Sequence, residues 1–178
     1  MAGKVVYQNV HGIEECFIIA DDEPGDQSGS SKALHRPHKN VPALAATVQK
    51  TKHWIKALMR ELQWEDARKA YHGLCVVLHV LRDRLTIHET ADLASELPML
   101  LRGMFYEGWQ PDHVPVKDRS KAAFLTHVSE GFPNDPEVDA ERLTRAVLSV
   151  LARRVSEGEI NDIRAVIPES LRELFPKR

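Results

Sequence analysis

The chain repeats itself with an offset of 70 residues, and this repeat constrains its fold more than any other feature. Between residues 78–105 and 148–175, ten of 28 aligned positions are identical. A repeat of this length indicates two copies of one structural unit that bury more surface together than alone. The identical pairs include Arg84 and Arg154, Glu89 and Glu159, Asp92 and Asp162, Pro98 and Pro168, Arg102 and Arg172, and Phe105 and Phe175.

Each copy has the hydrophobic period of helices. Apolar residues recur at three- and four-residue steps, which predicts two long amphipathic helices followed by two short ones. Thr86 stands three residues before Glu89, the spacing of a capping box, and Pro98 is expected as the first residue of a short helix. The first long helix carries an apolar stripe formed by Leu44, Val48, Ile55, Leu58, Met59 and Leu62.

The predicted fold is all-α, with two tandem copies of a four-helix unit in one domain. We place the first copy at residues 43–112 and the second at 113–178, where Asp135 and Pro136 are expected to begin the second long helix. Residues 1–42 differ in composition and predict an N-terminal arm and flexible linker, either disordered or carrying a short hairpin.

Charge and composition narrow the functional classes. The 178 residues hold 24 Lys and Arg against 26 Asp and Glu, a net charge of −2, which makes a dedicated polyanion binder an unfavoured interpretation. Cys16 and Cys75 cannot form a disulfide framework. No apolar stretch approaches the ~20 residues of a membrane span, and no signal-peptide core is present. We therefore expect a cytoplasmic protein without a membrane partner.

Three phrases of the sequence are similar to a known family. They are the stretches that begin at Leu81, Leu97 and Gly158: LRDRLTxxE, LPxLLRGxFYEGW and GEIxDIR. In these phrases the chain resembles the bacterial domain of unknown function 2267, over roughly residues 47–175. The resemblance implies an all-helical cytoplasmic protein, and it implies no activity because none is established for that family.

A group of soft ligands suggests a metal site. His72, Cys75 and His79 fall within one arc of a helix, and zinc takes His and Cys ligands. The second copy has Arg142, Arg145 and Ser149 at these positions, so the group is not part of the repeated scaffold. The alternative interpretation is a half-exposed helix face, since one helix supplies three ligands awkwardly.

Four further residues are candidates for contact with a ligand or partner. Arg102 and Arg172 could bind a carboxylate or phosphate, although a surface salt bridge is the simpler interpretation. Tyr106 and Trp109 follow only the first copy, and they would either line a pocket or pack over the seam between the copies.

The sequence shows no catalytic constellation, and it predicts no catalytic residue and no cofactor. The leading hypothesis is a non-enzymatic scaffold or protein-interaction module that binds a protein partner or itself. One alternative is nucleic-acid binding, which would need Arg142, Arg145, Arg153 and Arg154 on one side of the domain. The other is a metal or small-molecule site at His72, Cys75 and His79.

Overall fold

The computed structural model of the chain describes residues 4–10, 13–19 and 42–177. It divides the chain into two units, residues 1–38 and residues 39–178. In the first unit, strand β1 (Lys4–Val10) pairs antiparallel with β2 (Ile13–Ile19). The predicted linker between residues 21 and 40 lies outside the described residues.

The second unit is all-helical within its described residues, which confirms the predicted class. It contains eight α-helices and one short 3-10 turn at Pro111–His113. The helices are α1 (Pro42–Leu62), α2 (Ala67–Arg82), α3 (Ile87–Glu96), α4 (Met99–Tyr106), α5 (Lys121–Glu130), α6 (Ala140–Ala152), α7 (Glu157–Val166) and α8 (Glu169–Arg172).

Local signals set most helix starts. The hydroxyl of Thr86 accepts a hydrogen bond from the backbone N–H of Glu89, and Ser156 accepts the same bond at the start of α7. Such a cap satisfies an amide that has no partner inside the helix. Pro98 is the N-cap of α4 rather than its first helical residue, because its ψ of 147° is extended.

The predicted start of the second long helix was wrong. The helix α6 begins at Ala140, and the carboxylate of Asp139 accepts the N–H of Arg142 as its N-cap. Asp135 instead forms an ion pair with Lys69 of α2, with 2.6 Å between Nζ and Oδ2. Asp135 therefore lies in the loop before α6, where it contacts α2, and does not cap the helix.

Helices from both halves of the sequence build a single core. The helix α1 contacts α2 and α6, α5 also contacts α6 and α2, and α3 contacts α7. The core therefore mixes side chains from residues 42–106 with side chains from residues 121–177, and its fully buried members include Leu58, Leu78, Phe105, Phe124 and Ile163. Truncating one such side chain to alanine would cost about 2–5 kcal/mol.

Candidate functional site

An apolar patch lies where α1 and α4 begin. Its members are Leu44 and Val48 of α1, with 56 % and 39 % of their surface exposed, and Met99 and Leu100 of α4, with 62 % and 46 % exposed. The two helices are adjacent here, because the N–H of Leu100 donates to the hydroxyl of Thr47. These four side chains are called the apolar patch below.

Leu44 and Val48 lie beside the buried side of α1, which includes Thr47 and Thr51 in the same turns. Farther along the same apolar stripe, Leu58 and Leu62 are buried in the core, whereas Leu44 and Val48 are exposed. Residues 112–120, which stand 70 positions after the first turns of α1, do not extend α5, since that helix begins only at Lys121. The start of α1 is thus a feature of the first half alone.

A groove of about 780 Å³ adjoins the patch. Met99 of the patch lines this groove, and Thr47 also lines it. It lies between α1, the link from α3 to α4, and the end of α6. Glu96 is the one acid among its lining residues. The basic side chains around the groove, called the basic groove below, are Lys50, His53, Arg102, Arg153 and Arg154.

Two arginines at the end of α6 are held differently. The guanidinium carbon of Arg154 lies 5.5 Å from the centroid of the Trp54 ring, and Nη2 donates to the carbonyl of His53. Arg153 pairs with Glu61 at 2.6 Å, so part of its charge is already neutralised. Of these two arginines, Arg154 is therefore the one whose charge faces the groove without a carboxylate partner in the described part of the chain.

The residue 70 positions before Arg154 has a different environment. Arg84 is 2 % exposed, and its guanidinium carbon lies 4.9 Å from the centroid of the Phe124 ring. The segment before α5 is bonded beside it, because the N–H of Val116 donates to the carbonyl of Asp83. Burial lowers the pKa of Arg84. The contact between Arg84 and Phe124 is thus buried, whereas the equivalent contact between Arg154 and Trp54 has an exposed arginine.

Arg102 and Arg172, predicted ligand or partner contacts, bind backbone carbonyls at the end of the preceding helix. Nε of Arg102 donates to Ala94, and Nη2 donates to Ser95 and Leu97. Arg172 donates in the same way to carbonyls at the end of α7. Each arginine thus acts as a C-terminal cap, and Arg102 also lines the basic groove.

Two of the proposed metal ligands contact α4, and the third contacts the end of α5. The ring Nε2 of His72 donates to the carbonyl of Gly131 at the end of α5, and that of His79 donates to the carbonyl of Met104 in α4. The thiol of Cys75 contacts the sulfur of Met104. Burial is the main cause that lowers the pKa of His79. Within residues 42–177, no group of three or more His, Cys, Asp or Glu side chains is placed to hold a metal ion.

Tyr106 and Trp109 pack on each other. Their ring centroids are 5.3 Å apart, and Tyr106 also meets Phe105 edge-on. The indole Nε1 of Trp109 is buried and has no hydrogen-bond partner in the described residues. Arg82 holds the chain between the two rings, because it donates to the carbonyl of Glu107.

A group of carboxylates lies where α3 meets α7. Oε2 of Glu89 and Oε1 of Glu159 are buried and have no hydrogen-bond partner within residues 42–177. Burial, followed by the charges of Asp92 and Asp162, raises the pKa of Glu159 to about 7. Local spacing predicted a capping role for Glu89, but it could not show that Glu89 and Glu159 lie near each other across two helices.

Comparison with known proteins agrees with the resemblance noted in the sequence. A family model described as an uncharacterized conserved protein, DUF2267, matches residues 51–174. The chain belongs to this family. The DUF2267 match covers α2 to α8 completely and begins within α1, so it leaves out the apolar side chains at the start of α1. No curated protein matches the chain. No helix among the described residues is both long and apolar enough to cross a membrane.

Sequence reasoning missed the apolar patch and the basic groove. One signal for the patch was available, since the apolar stripe of α1 begins at Leu44, before the part of the chain that repeats. The groove gave no local signal, because its cations come from α1, α4 and the end of α6.

Proposed function

We propose that the chain is a non-enzymatic protein-interaction module that binds a partner polypeptide on the apolar patch. The observation that carries the proposal is the clustering of Leu44, Val48, Met99 and Leu100 at two adjacent helix starts. Contiguous exposed apolar side chains mark interaction sites more often than isolated ones do. The partner would pack apolar side chains against these four residues.

The surroundings of the patch favour a protein as the occupant. Met99 belongs to both the patch and the basic groove, so apolar and charged surface meet there, as they do in protein interfaces. A partner with apolar side chains beside acidic ones would complement both parts. A second copy of this chain is the other candidate occupant.

Nucleic-acid binding is less well supported. Arg145 binds Glu141 with Nε and Nη2, and Arg153 pairs with Glu61. Arg142 donates to the carbonyl of Leu62. Arginines that are already paired with carboxylates release few counterions when they meet phosphates, which weakens the driving force for duplex binding.

We also propose that the helical unit arose by duplication, with two copies related by a pseudo-twofold axis. The contacts between Arg84 and Phe124 and between Arg154 and Trp54 support this relation, because each arginine packs on the aromatic residue of the other copy. The equal caps made by Arg102 and Arg172 support it as well. A duplicated scaffold leaves the parts that differ, such as the start of α1, free to carry function.

Site-specific photocrosslinking would test the proposed function. A benzoylphenylalanine residue would replace Met99 in one variant and Ile87 in another, and crosslinked peptides would be identified by mass spectrometry. Ile87 is 49 % exposed but lies at the start of α3, outside the patch. We expect the variant with benzoylphenylalanine at position 99 to capture one defined polypeptide. This polypeptide, once purified, should bind the wild-type chain.

The control decides how a crosslink is interpreted. A polypeptide captured equally at positions 99 and 87, or one that does not bind the purified chain, would contradict the proposal. A crosslink from position 99 to a second copy of this chain would replace the partner protein with self-association.

A further inference from the structure

We infer that the basic groove binds the carboxylates of an acidic segment, and that this segment belongs to the partner docked on the apolar patch. The inference rests on the proposed function and adds the chemistry of the partner. It follows from the charge of the groove, the way its cations are held, and the apolar surface beside it.

The groove holds more positive than negative charge. Lys50 has no ion-pair partner in the part of the chain that the structure describes, and the same holds for Arg154. Glu96 is the one carboxylate among the lining residues, and Glu61 neutralises Arg153 from outside the groove. Because the chain as a whole carries a net charge of −2, this local excess is a property of the groove.

Two arginines of the groove are held in place before a ligand arrives. The side chain of Arg154 lies over Trp54, whose own surface is only 4 % exposed, and it donates to the backbone of α1. The guanidinium of Arg102 is fixed by three carbonyls, and its remaining nitrogen, Nη1, has no partner within the described residues. Groups that are already ordered lose less entropy on binding than flexible lysines on an open surface.

The other half of the domain shows that the fold accommodates a polypeptide at this place. Beside Arg84, the chain's own segment before α5 is bonded through Val116 to Asp83 and through Arg119 to the carbonyl of Val166. Beside Arg154, the corresponding residues form the first turns of α1 instead, and the arginine is exposed. The site near Arg154 therefore remains available to a segment of another molecule.

The adjacent patch favours an acidic polypeptide over a nucleic acid. A polypeptide can place acidic side chains in the groove while its apolar side chains cover Met99 and Val48. A phosphate backbone would fill the groove but leave the apolar patch exposed to water, which forfeits the larger part of the hydrophobic gain.

Binding of a labelled hexaglutamate peptide to the full chain tests the inference. Fluorescence anisotropy at about 20 mM and about 300 mM salt would report affinity, and NMR of the labelled protein would locate the contact. We expect weak binding that falls with salt, with shifts at Lys50, His53 and the indole of Trp54. Lys50→Glu should weaken binding about fivefold to tenfold, since a charge is reversed beside the ligand.

Lys52→Glu is the matched control, because Lys52 is exposed on the same helix but does not line the groove. At about 150 mM salt, where the Debye length is about 8 Å, it should leave the affinity within about twofold. Three results would overturn the inference: no salt-dependent binding, equal losses for both variants, or clearly tighter binding of a thymidine hexanucleotide than of hexaglutamate. Because Met99 lines both surfaces, a second crosslinking position at Leu44, which belongs to the patch but does not line the groove, shows whether the patch fails separately from the groove.

Discussion

The guanidinium of Arg154 lies over the indole ring of Trp54, 5.5 Å from its centroid, and joins the end of α6 to the middle of α1. Arg84 makes the same contact with Phe124, 4.9 Å away, in the opposite half of the domain. One arginine is exposed and the other is buried. The buried contact of Arg84 therefore belongs to the core, whereas the exposed contact of Arg154 can also meet a partner.

The two arginines should differ in their contribution to stability. Arg84→Ala is expected to lower the free energy of unfolding by about 2–3 kcal/mol, because a fully buried side chain and its hydrogen bond to Val80 are lost. Arg154→Ala should cost less than about 1 kcal/mol, since that side chain is exposed. Urea unfolding followed by circular dichroism measures both values. Equal losses would show that burial does not distinguish them.

A third variant separates the charge of Arg84 from its packing. Arg84→Met keeps most of the volume and removes a buried charge whose Nε has no hydrogen-bond partner in the described residues. Replacing buried charges by apolar groups of similar size is often neutral. We expect Arg84→Met to lie within about 1 kcal/mol of the wild type. A loss as large as that of Arg84→Ala would mean that the charge itself stabilises the fold.

Glu159 should make the stability of the domain depend on pH. Its pKa is raised from 4.5 to about 7, so between these values the folded chain binds a proton that the unfolded chain has released. The free energy of unfolding must therefore fall as the pH rises through this window. Glu159→Gln should flatten the dependence and stabilise the domain at pH 8, on the order of 1 kcal/mol after solvent screening.

The melting temperature measured between pH 5 and pH 8 checks this expectation. Glu137→Gln is the control, because Glu137 is exposed in the loop before α6. If the melting temperature of both variants changes with pH as steeply as that of the wild type, the protonation of the carboxylates between α3 and α7 is not coupled to folding.

Two glycines should respond to alanine with opposite signs. A Cβ at Gly131 would lie 2.7 Å from Cγ1 of Val76, a stiff β-branched side chain, so Gly131→Ala should cost about 1–3 kcal/mol. A Cβ at Gly103 in α4 would meet nothing within 4 Å, and Gly103→Ala should stabilise the helix by about 0.5–1 kcal/mol. Thermal unfolding of both variants measures the two effects. A stabilising effect of Gly131→Ala would contradict the expected clash and show that α2 and α5 can move apart at little cost.

The start of α6 offers a comparison of two acids. Asp139→Ala should destabilise the domain by about 1 kcal/mol, because the N-cap of the helix is lost. Asp135→Ala should cost less than about 1 kcal/mol, since it breaks only a partly exposed ion pair with Lys69. The free energies of unfolding in urea test the order. The reverse order would favour Asp135, the residue expected from the sequence, as the N-cap of the helix.

Features of the fold that depend on neighbours in the chain could be predicted from the sequence. The caps at Thr86 and Ser156 follow from a spacing of three residues, and the helical class follows from the hydrophobic period. The start of α6 was harder, because Asp135 with Pro136 and Asp139 both suit a helix start. A contact with Lys69, distant in sequence, separates the two.

The candidate site depends on features that periodicity does not report. An amphipathic pattern identifies the apolar side of α1, but it does not say where the neighbouring helices end, so Leu44 and Leu58 looked alike. The basic groove combines Lys50 with Arg154, which are about a hundred residues apart in the chain. Only the packing of α1 against α6 brings them together.

The most direct test of the proposed interaction is the affinity of the polypeptide crosslinked at position 99 for purified variants of the chain. We expect Met99→Glu to weaken binding at least about tenfold without lowering the melting temperature, because a charge is placed in the apolar patch. Ile87→Glu should change the affinity by less than about twofold. Undiminished binding to Met99→Glu would contradict the assignment of the patch as the docking surface.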